Sequence, residues 1–232
     1  MSKSAHGGYM RKFKDEEELV HIEADGIRLE GALGGTESAE GVVLFAHGSG
    51  SSRLSPRNNF VARILRRAGL ATLLMDLLTG EEDMDYNTRF DIELLSERLA
   101  AATLWLAKEK KTRGLNIGYF GASTGAAAAL QASVSGATPI GAVVSRGGRP
   151  DLADEYLDRV AAPTLLIVGG YDDVVIELNR KAYAKIRCVK EMVIVPGATH
   201  LFEEPGTLEE VARLAADWFR KYLAKKGDCA SE

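Results

Sequence analysis

At 232 residues, with 46% hydrophobic and 27% charged residues, the chain has the composition of an ordinary globular protein and the length for one large α/β domain. Its 29 basic and 33 acidic residues are interspersed, giving a net charge of −4, so it lacks the concentrated basic face that nucleic-acid binding needs. Cys188 and Cys229 lie outside any CxxC or Cys/His cluster, which argues against a metal site or a disulfide framework.

The opening stretch, Met1 to Glu18, is polar and charged rather than signal-like, and no apolar run approaches membrane-spanning length. A cytoplasmic protein with no membrane partner is the expectation. Residues 1–17 and 225–232 read as flexible tails around a single domain over 18–224. Val20–Ala24 and Ile27–Leu33 alternate across Asp25-Gly26, the pattern of an antiparallel hairpin. Continuous apolar runs follow at 42–46, 71–75, 115–120, 140–145, 164–169 and 192–196. Runs apolar on both faces suit strands of a buried parallel sheet. Between them Phe60, Ile64, Leu65 and Ala68 share a helical face; Leu94, Leu95, Leu99, Ala102, Leu106 and the neighbouring Trp105 mark a longer helix, and Val211, Leu214, Ala215, Trp218, Phe219 and Leu223 form an apolar stripe on the last one. A hairpin followed by strand–helix repeats predicts an α/β fold, a mostly parallel sheet with helices on both faces and no large lid.

In such a sheet the chemistry belongs to the loops at the carboxyl ends of the strands. The run 115–120 ends in Gly121-Ala122-Ser123-Thr124-Gly125 and passes directly into an alanine-rich helix. G-x-S-x-G between strand and helix is the nucleophile elbow: the serine sits on a turn so tight that the positions two before and two after must lack side chains. A plain helix N-cap is the alternative, but a cap needs no glycine at both offsets. A serine hydroxyl needs a base, and the base needs a group to fix its tautomer. The run 164–169 leads to Asp172, the first carboxylate past Gly169-Gly170, with Asp173 as its rival. The run 192–196 leads to His200, the only one of four histidines that follows both partners. Ser123, Asp172 and His200 are therefore the expected nucleophile, acid and base.

The first buried run ends in His47-Gly48-Ser49-Gly50-Ser51-Ser52-Arg53. Acyl transfer needs two backbone N–H donors converging on the carbonyl oxygen; Thr124, after the nucleophile, and Ser49 are the expected pair. His47 is expected to hold the loop by hydrogen bonds. The same loop, with Asp76 ending the next run, imitates a dinucleotide-binding turn, but Arg53 stands at the third glycine position and Ser55-Pro56 delays the helix.

On HGSGSSR (47–53), GASTG (121–125), GGYDD (169–173) and GATH (197–200), the chain resembles α/β-hydrolases of the dienelactone hydrolase-like group over about residues 18–224. The resemblance implies the α/β-hydrolase fold, the Ser123–Asp172–His200 triad and hydrolysis of a small-molecule acyl substrate without cofactor or metal. Dienelactone hydrolase itself uses a cysteine where this chain has Ser123, so that enzyme's specific substrate is not carried over; an ester-type acyl bond is the expected target. Thioesters, lactones, peptides and a non-catalytic binding role remain open, as does the oligomeric state. Arg53, Arg57, Arg146 and Arg149 are expected in loops facing the site; Arg53 and Arg146 are candidates for binding an anionic group on the substrate.

Overall fold

The computed structural model describes residues 16–224. The expected tails lie outside the described residues except for Glu16 and Glu17, and Glu17 already opens the first strand. Strands β1 (Glu17–Ala24) and β2 (Ile27–Gly34) form the antiparallel hairpin, turning at Asp25 and Gly26, both at positive φ. The chain continues through β3 (Gly41–Ala46), α1 (Pro56–Arg67), β4 (Ala71–Met75), α2 (Ile92–Lys108), β5 (Asn116–Ala122), α3 (Thr124–Ser135), β6 (Ala142–Arg146), β7 (Thr164–Gly169), α4 (Asp173–Lys185), β8 (Lys190–Val195) and α5 (Thr207–Leu223). Short 3₁₀ turns interrupt the β4–α2 connection, and a kinked 3₁₀ segment, Pro150–Arg159, follows β6.

One eight-stranded sheet has the order β1-β2-β4-β3-β5-β6-β7-β8, antiparallel at the hairpin and at β2–β4 and parallel from β4 onward. Its strands are apolar on both sides because both faces are covered. In β3, Val42, Leu44 and Ala46 join the core beneath α2 and α3, while Val43 and Phe45 join the core beneath α1 and α5. Helix α5 seals the second core with Val211, Ala215, Phe219 and Leu223, all buried. Each large apolar side chain buried there contributes roughly 1.5–3 kcal/mol. Strand β8 departs from the expectation of a fully buried run: most of it is half-buried or exposed, because it is an edge strand paired only to β7.

The expected architecture is thus observed: a mostly parallel sheet, an N-terminal antiparallel hairpin and helices on both faces. No helix among the described residues is long and apolar enough to cross a membrane. With β3, β5, β6, β7 and β8 parallel and adjacent, the loops after all five open at one edge of the sheet.

Candidate active site

The elbow is built as the sequence requires. Ser123 follows β5 directly and precedes α3, and its backbone is held at φ 51°, ψ −120°, a region costly for any residue with a Cβ. The strain is held in place from below: the Ser123 N–H donates to the Arg146 carbonyl at 3.2 Å, and the Ser123 carbonyl accepts from the Arg149 N–H at 3.0 Å. A Cβ on Gly121 would fall 2.4 Å from Ala126 Cα, and one on Gly125 would fall 2.3 Å from the Ala46 carbonyl oxygen. Ser123 stands at the N-cap of α3, yet its side chain makes no capping hydrogen bond. The hydroxyl is left free and half-exposed.

Asp172 and His200 come together from two loops. Gly170 N–H donates to the Val195 carbonyl at 2.9 Å and Tyr171 N–H to the Ala198 carbonyl at 2.9 Å, which ties the loop after β7 to the loop after β8. Asp172 occupies the N-cap of α4 but does not cap it. Its Oδ2 instead lies 2.6 Å from His200 Nδ1, and its side chain is only 15% exposed. A carboxylate can only accept, so Nδ1 carries the proton of the neutral ring and Nε2 is left as a free acceptor. Glu204 braces the histidine loop, accepting from Thr199 N–H at 3.0 Å and from the Thr199 hydroxyl at 2.6 Å.

The ring also borders the elbow. Gly147 follows Arg146, the residue that holds Ser123, and a Cβ on Gly147 would lie 3.5 Å from both Nδ1 and Cε1 of His200. Among the described residues, neither Ser123 Oγ nor His200 Nε2 has a hydrogen-bond partner.

The loop after β3 closes the other side: a Cβ on Gly48 would lie 3.1 Å from Ser123 Cβ. His47 holds this loop, as its position implied. Its Nε2 accepts from the Leu77 N–H at 3.0 Å, so Nδ1 is protonated and reaches the Gly48 carbonyl at 3.0 Å. Burial holds the His47 pKa below its ordinary 6.5, against the pull of Gly48 and Asp76. A depressed histidine stabilises the fold fully above pH 6.5, and its contribution is lost as the pH falls below that, because the unfolded chain then binds a proton the native site refuses. Urea midpoints of the wild type should therefore drop between pH 7.5 and pH 5.5 by more than those of His47→Gln; parallel profiles would refute this role.

The expected oxyanion donors fare differently. Thr124, buried at 2% exposure, begins α3 as anticipated. The Ser49 N–H, expected to be free, donates to the Thr124 hydroxyl at 2.9 Å. The sequence placed these two residues together but did not show that one would engage the other's side chain.

Arg53 is a correction. Its guanidinium binds Asp76 at 3.0 Å and Glu30, and its N–H donates to Asp76 Oδ1 at 2.7 Å, so it fastens the β3 loop to β2 and β4 and is committed to two carboxylates. Asp76, the acid a dinucleotide site would require, is used up in the same pair. Arg57 is paired with Glu203 at 2.9 Å and Arg149 with Asp151 in a bidentate contact at 2.9 and 2.7 Å. Arg146 differs from these three. It ends β6 at 6% exposure, stacks 5.9 Å from the Phe202 ring centroid and donates to Asn58 Oδ1 at a long 3.3 Å. It has no carboxylate partner among the described residues, and its Nε is buried without an acceptor. Burial, with a smaller push from Arg57, lowers its pKa to about 10, so it stays charged at neutral pH.

No group of acidic, histidine or cysteine side chains among the described residues is arranged to hold a metal ion.

Known proteins share the sequence and fold of this chain. The family model described as the dienelactone hydrolase family matches residues 29–224. A crystal structure of a dienelactone hydrolase from Anabaena variabilis is 55% identical, covers 90% of this chain and 98% of that one, and superposes with a TM-score of 0.86. A Mycobacterium tuberculosis protein named putative phosphoribosyl transferase is 56% identical over 214 residues, covering 92% of this chain and 48% of that protein. The chain therefore spans about half the length of that curated relative. Est1E from Butyrivibrio proteoclasticus, 16% identical with a TM-score of 0.74 over 88% of this chain and 98% of that one, shares the fold.

Proposed function

Because this chain belongs to the dienelactone hydrolase family, we propose that it is a serine hydrolase that cleaves carboxylic esters through an acyl-enzyme on Ser123. The observation that carries the reading is the Asp172–His200 pair: an acid at a helix N-cap that leaves the helix uncapped and spends its carboxylate on Nδ1 of a histidine beside the elbow.

Nε2 of His200 takes the Ser123 proton as Oγ bonds to the acyl carbon and the carbonyl π pair moves onto oxygen. When the tetrahedral species collapses, the imidazolium returns that proton to the departing alkoxide. Water then attacks the acyl-serine, with His200 again taking a proton and handing it back to Ser123. Asp172 stays ionised throughout, keeping Nε2 basic by binding the Nδ1 proton and stabilising the imidazolium. No group beyond these side chains and the peptide N–H donors is needed for this route.

Labelling by a fluorophosphonate, read as a mass adduct on Ser123, tests the proposal and separates it from a non-catalytic binding protein on the same fold. A panel of short-chain esters, thioesters, lactones and a peptide amide then ranks the acyl bonds. No adduct and no turnover across that panel would overturn it.

The unpaired Arg146 charge favours a substrate that carries an anion. A buried cation without a counter-ion is costly, and a carboxylate on the substrate would supply one. Arg146→Met is expected to lower kcat/KM about 10- to 100-fold on carboxylate-bearing esters and far less on neutral ones. Equal losses on both would mean that Arg146 serves only to pack against Phe202 and Asn58.

A further inference from the structure

Resting on the serine-hydrolase reading, we propose that the Thr124 side-chain hydroxyl donates to the oxyanion, so that Thr124 supplies two donors, its peptide N–H and its O–H, with the Ser49 amide behind the hydroxyl. The Ser49 N–H can only donate, so in its 2.9 Å contact the Thr124 Oγ1 accepts. The hydroxyl proton then remains to be placed, and among the described residues it has no other partner. Thr124 is 2% exposed, so bulk water is a poor acceptor for it. A buried donor without an acceptor is costly in a resting protein. An acceptor arises next to Thr124 when an acyl group is bonded to the preceding residue, Ser123: the carbonyl oxygen of that group.

Three features favour this use. Thr124 is the first residue of α3, so its own N–H has no helical carbonyl to bond and is available beside the hydroxyl. The N–H and O–H of one threonine lie close together on the same residue, so both can be offered to one acceptor bonded to Ser123. And a hydroxyl that accepts from an amide is polarised into a better donor, so the Ser49 N–H still contributes, one bond removed. The contact also explains why an exposed loop residue such as Ser49 is held in register with the elbow 75 positions later.

The alternative use of the same contact is a latch, in which the Thr124 hydroxyl blocks the Ser49 N–H until substrate displaces it. The two predict opposite outcomes. If the hydroxyl donates, Thr124→Val and Thr124→Ala lose about 100-fold or more in kcat with KM within about threefold, as when one oxyanion donor is removed. Thr124→Ser should return to within about tenfold of the wild type. A boronic acid, which forms a tetrahedral anion on Ser123, should lose affinity in parallel with kcat, which a merely structural role would not produce. The inference is overturned if kcat of Thr124→Ala stays within tenfold of the wild type or rises, if Thr124→Ser fails to rescue, or if boronate affinity is unchanged. Should Thr124→Val not fold, Thr124→Ser and Thr124→Ala against the boronate decide the matter. Failure of the parent reading looks different: the wild type would then form no Ser123 adduct with the fluorophosphonate.

Discussion

Ser123→Ala is expected to lower ester turnover by roughly four to six orders of magnitude while leaving the thermal midpoint within a few degrees of the wild type. Loss of the nucleophile in a serine protease costs about that much, and what remains comes from binding and from the oxyanion donors. The stability half of the prediction follows from the geometry. A serine that capped α3 would cost about 1 kcal/mol on replacement by alanine. Ser123 makes no capping bond, and the strain at φ 51° is the same for alanine. The double variant Ser123→Ala/His200→Ala should be no slower than Ser123→Ala alone, because the two groups act as one unit. Steady-state kinetics with a chromogenic ester, beside a calorimetric scan, measure both halves. Turnover of Ser123→Ala within tenfold of the wild type would remove Ser123 from the chemistry.

Much of this site is legible from the sequence because each piece carries a local signature. The elbow announces itself through two glycines at fixed offsets between a strand and a helix, and the close approaches at Gly121 and Gly125 are the physical content of that pattern. Asp172 and His200 are legible by position: each follows the end of a strand, and parallel neighbours bring β7 and β8 ends side by side. Asp173, the rival acid, opens α4 instead.

What the sequence hides are the long-range pairings. Arg53 looks like a free loop arginine, yet its partners Glu30 and Asp76 each lie 23 positions away, on strands that flank the loop only after folding. The Ser49–Thr124 contact likewise joins residues 75 apart. Helix α4 escapes a periodicity reading because Val174, Val175 and Ile176 form a consecutive β-branched run, a strand-like signal overridden by packing onto the sheet. The short 3₁₀ turns after β4 have no buried residues and so no apolar period to read. Sequence pattern therefore located Ser123, Asp172 and His200 at strand ends, and tertiary contacts decided which of their neighbours are already engaged. Of the four arginines expected to face the site, three are spent on carboxylates and Arg146 is not.

Gly125→Ala tests the elbow's architecture and is expected to be the most damaging single-methyl change in the protein. The added carbon would sit 2.3 Å from the Ala46 carbonyl oxygen, 2.5 Å from the His47 carbonyl oxygen and 2.7 Å from the Ala46 carbonyl carbon. All three belong to the backbone where β3 passes into the loop over Ser123. A flexible side chain could swing aside from such a contact; here either α3 must move off the sheet or β3 must leave its register with β5. Overpacking a core usually costs about 1–3 kcal/mol, and a clash with three main-chain atoms puts this site at or above that range. Against a total stability of roughly 5–15 kcal/mol, that is enough to lower the urea midpoint sharply. Gly80→Ala is the matched control: no atom lies within 4 Å of its added carbon, and its effect should stay within about 0.5 kcal/mol. Whatever Gly125→Ala protein folds should also be slow to acylate, since the displaced β3 loop carries Ser49 and the displaced helix carries Thr124. Equal midpoints for the two variants would mean that the elbow relaxes freely, and the strain at Ser123 would then not be imposed by the packing of α3 against β3.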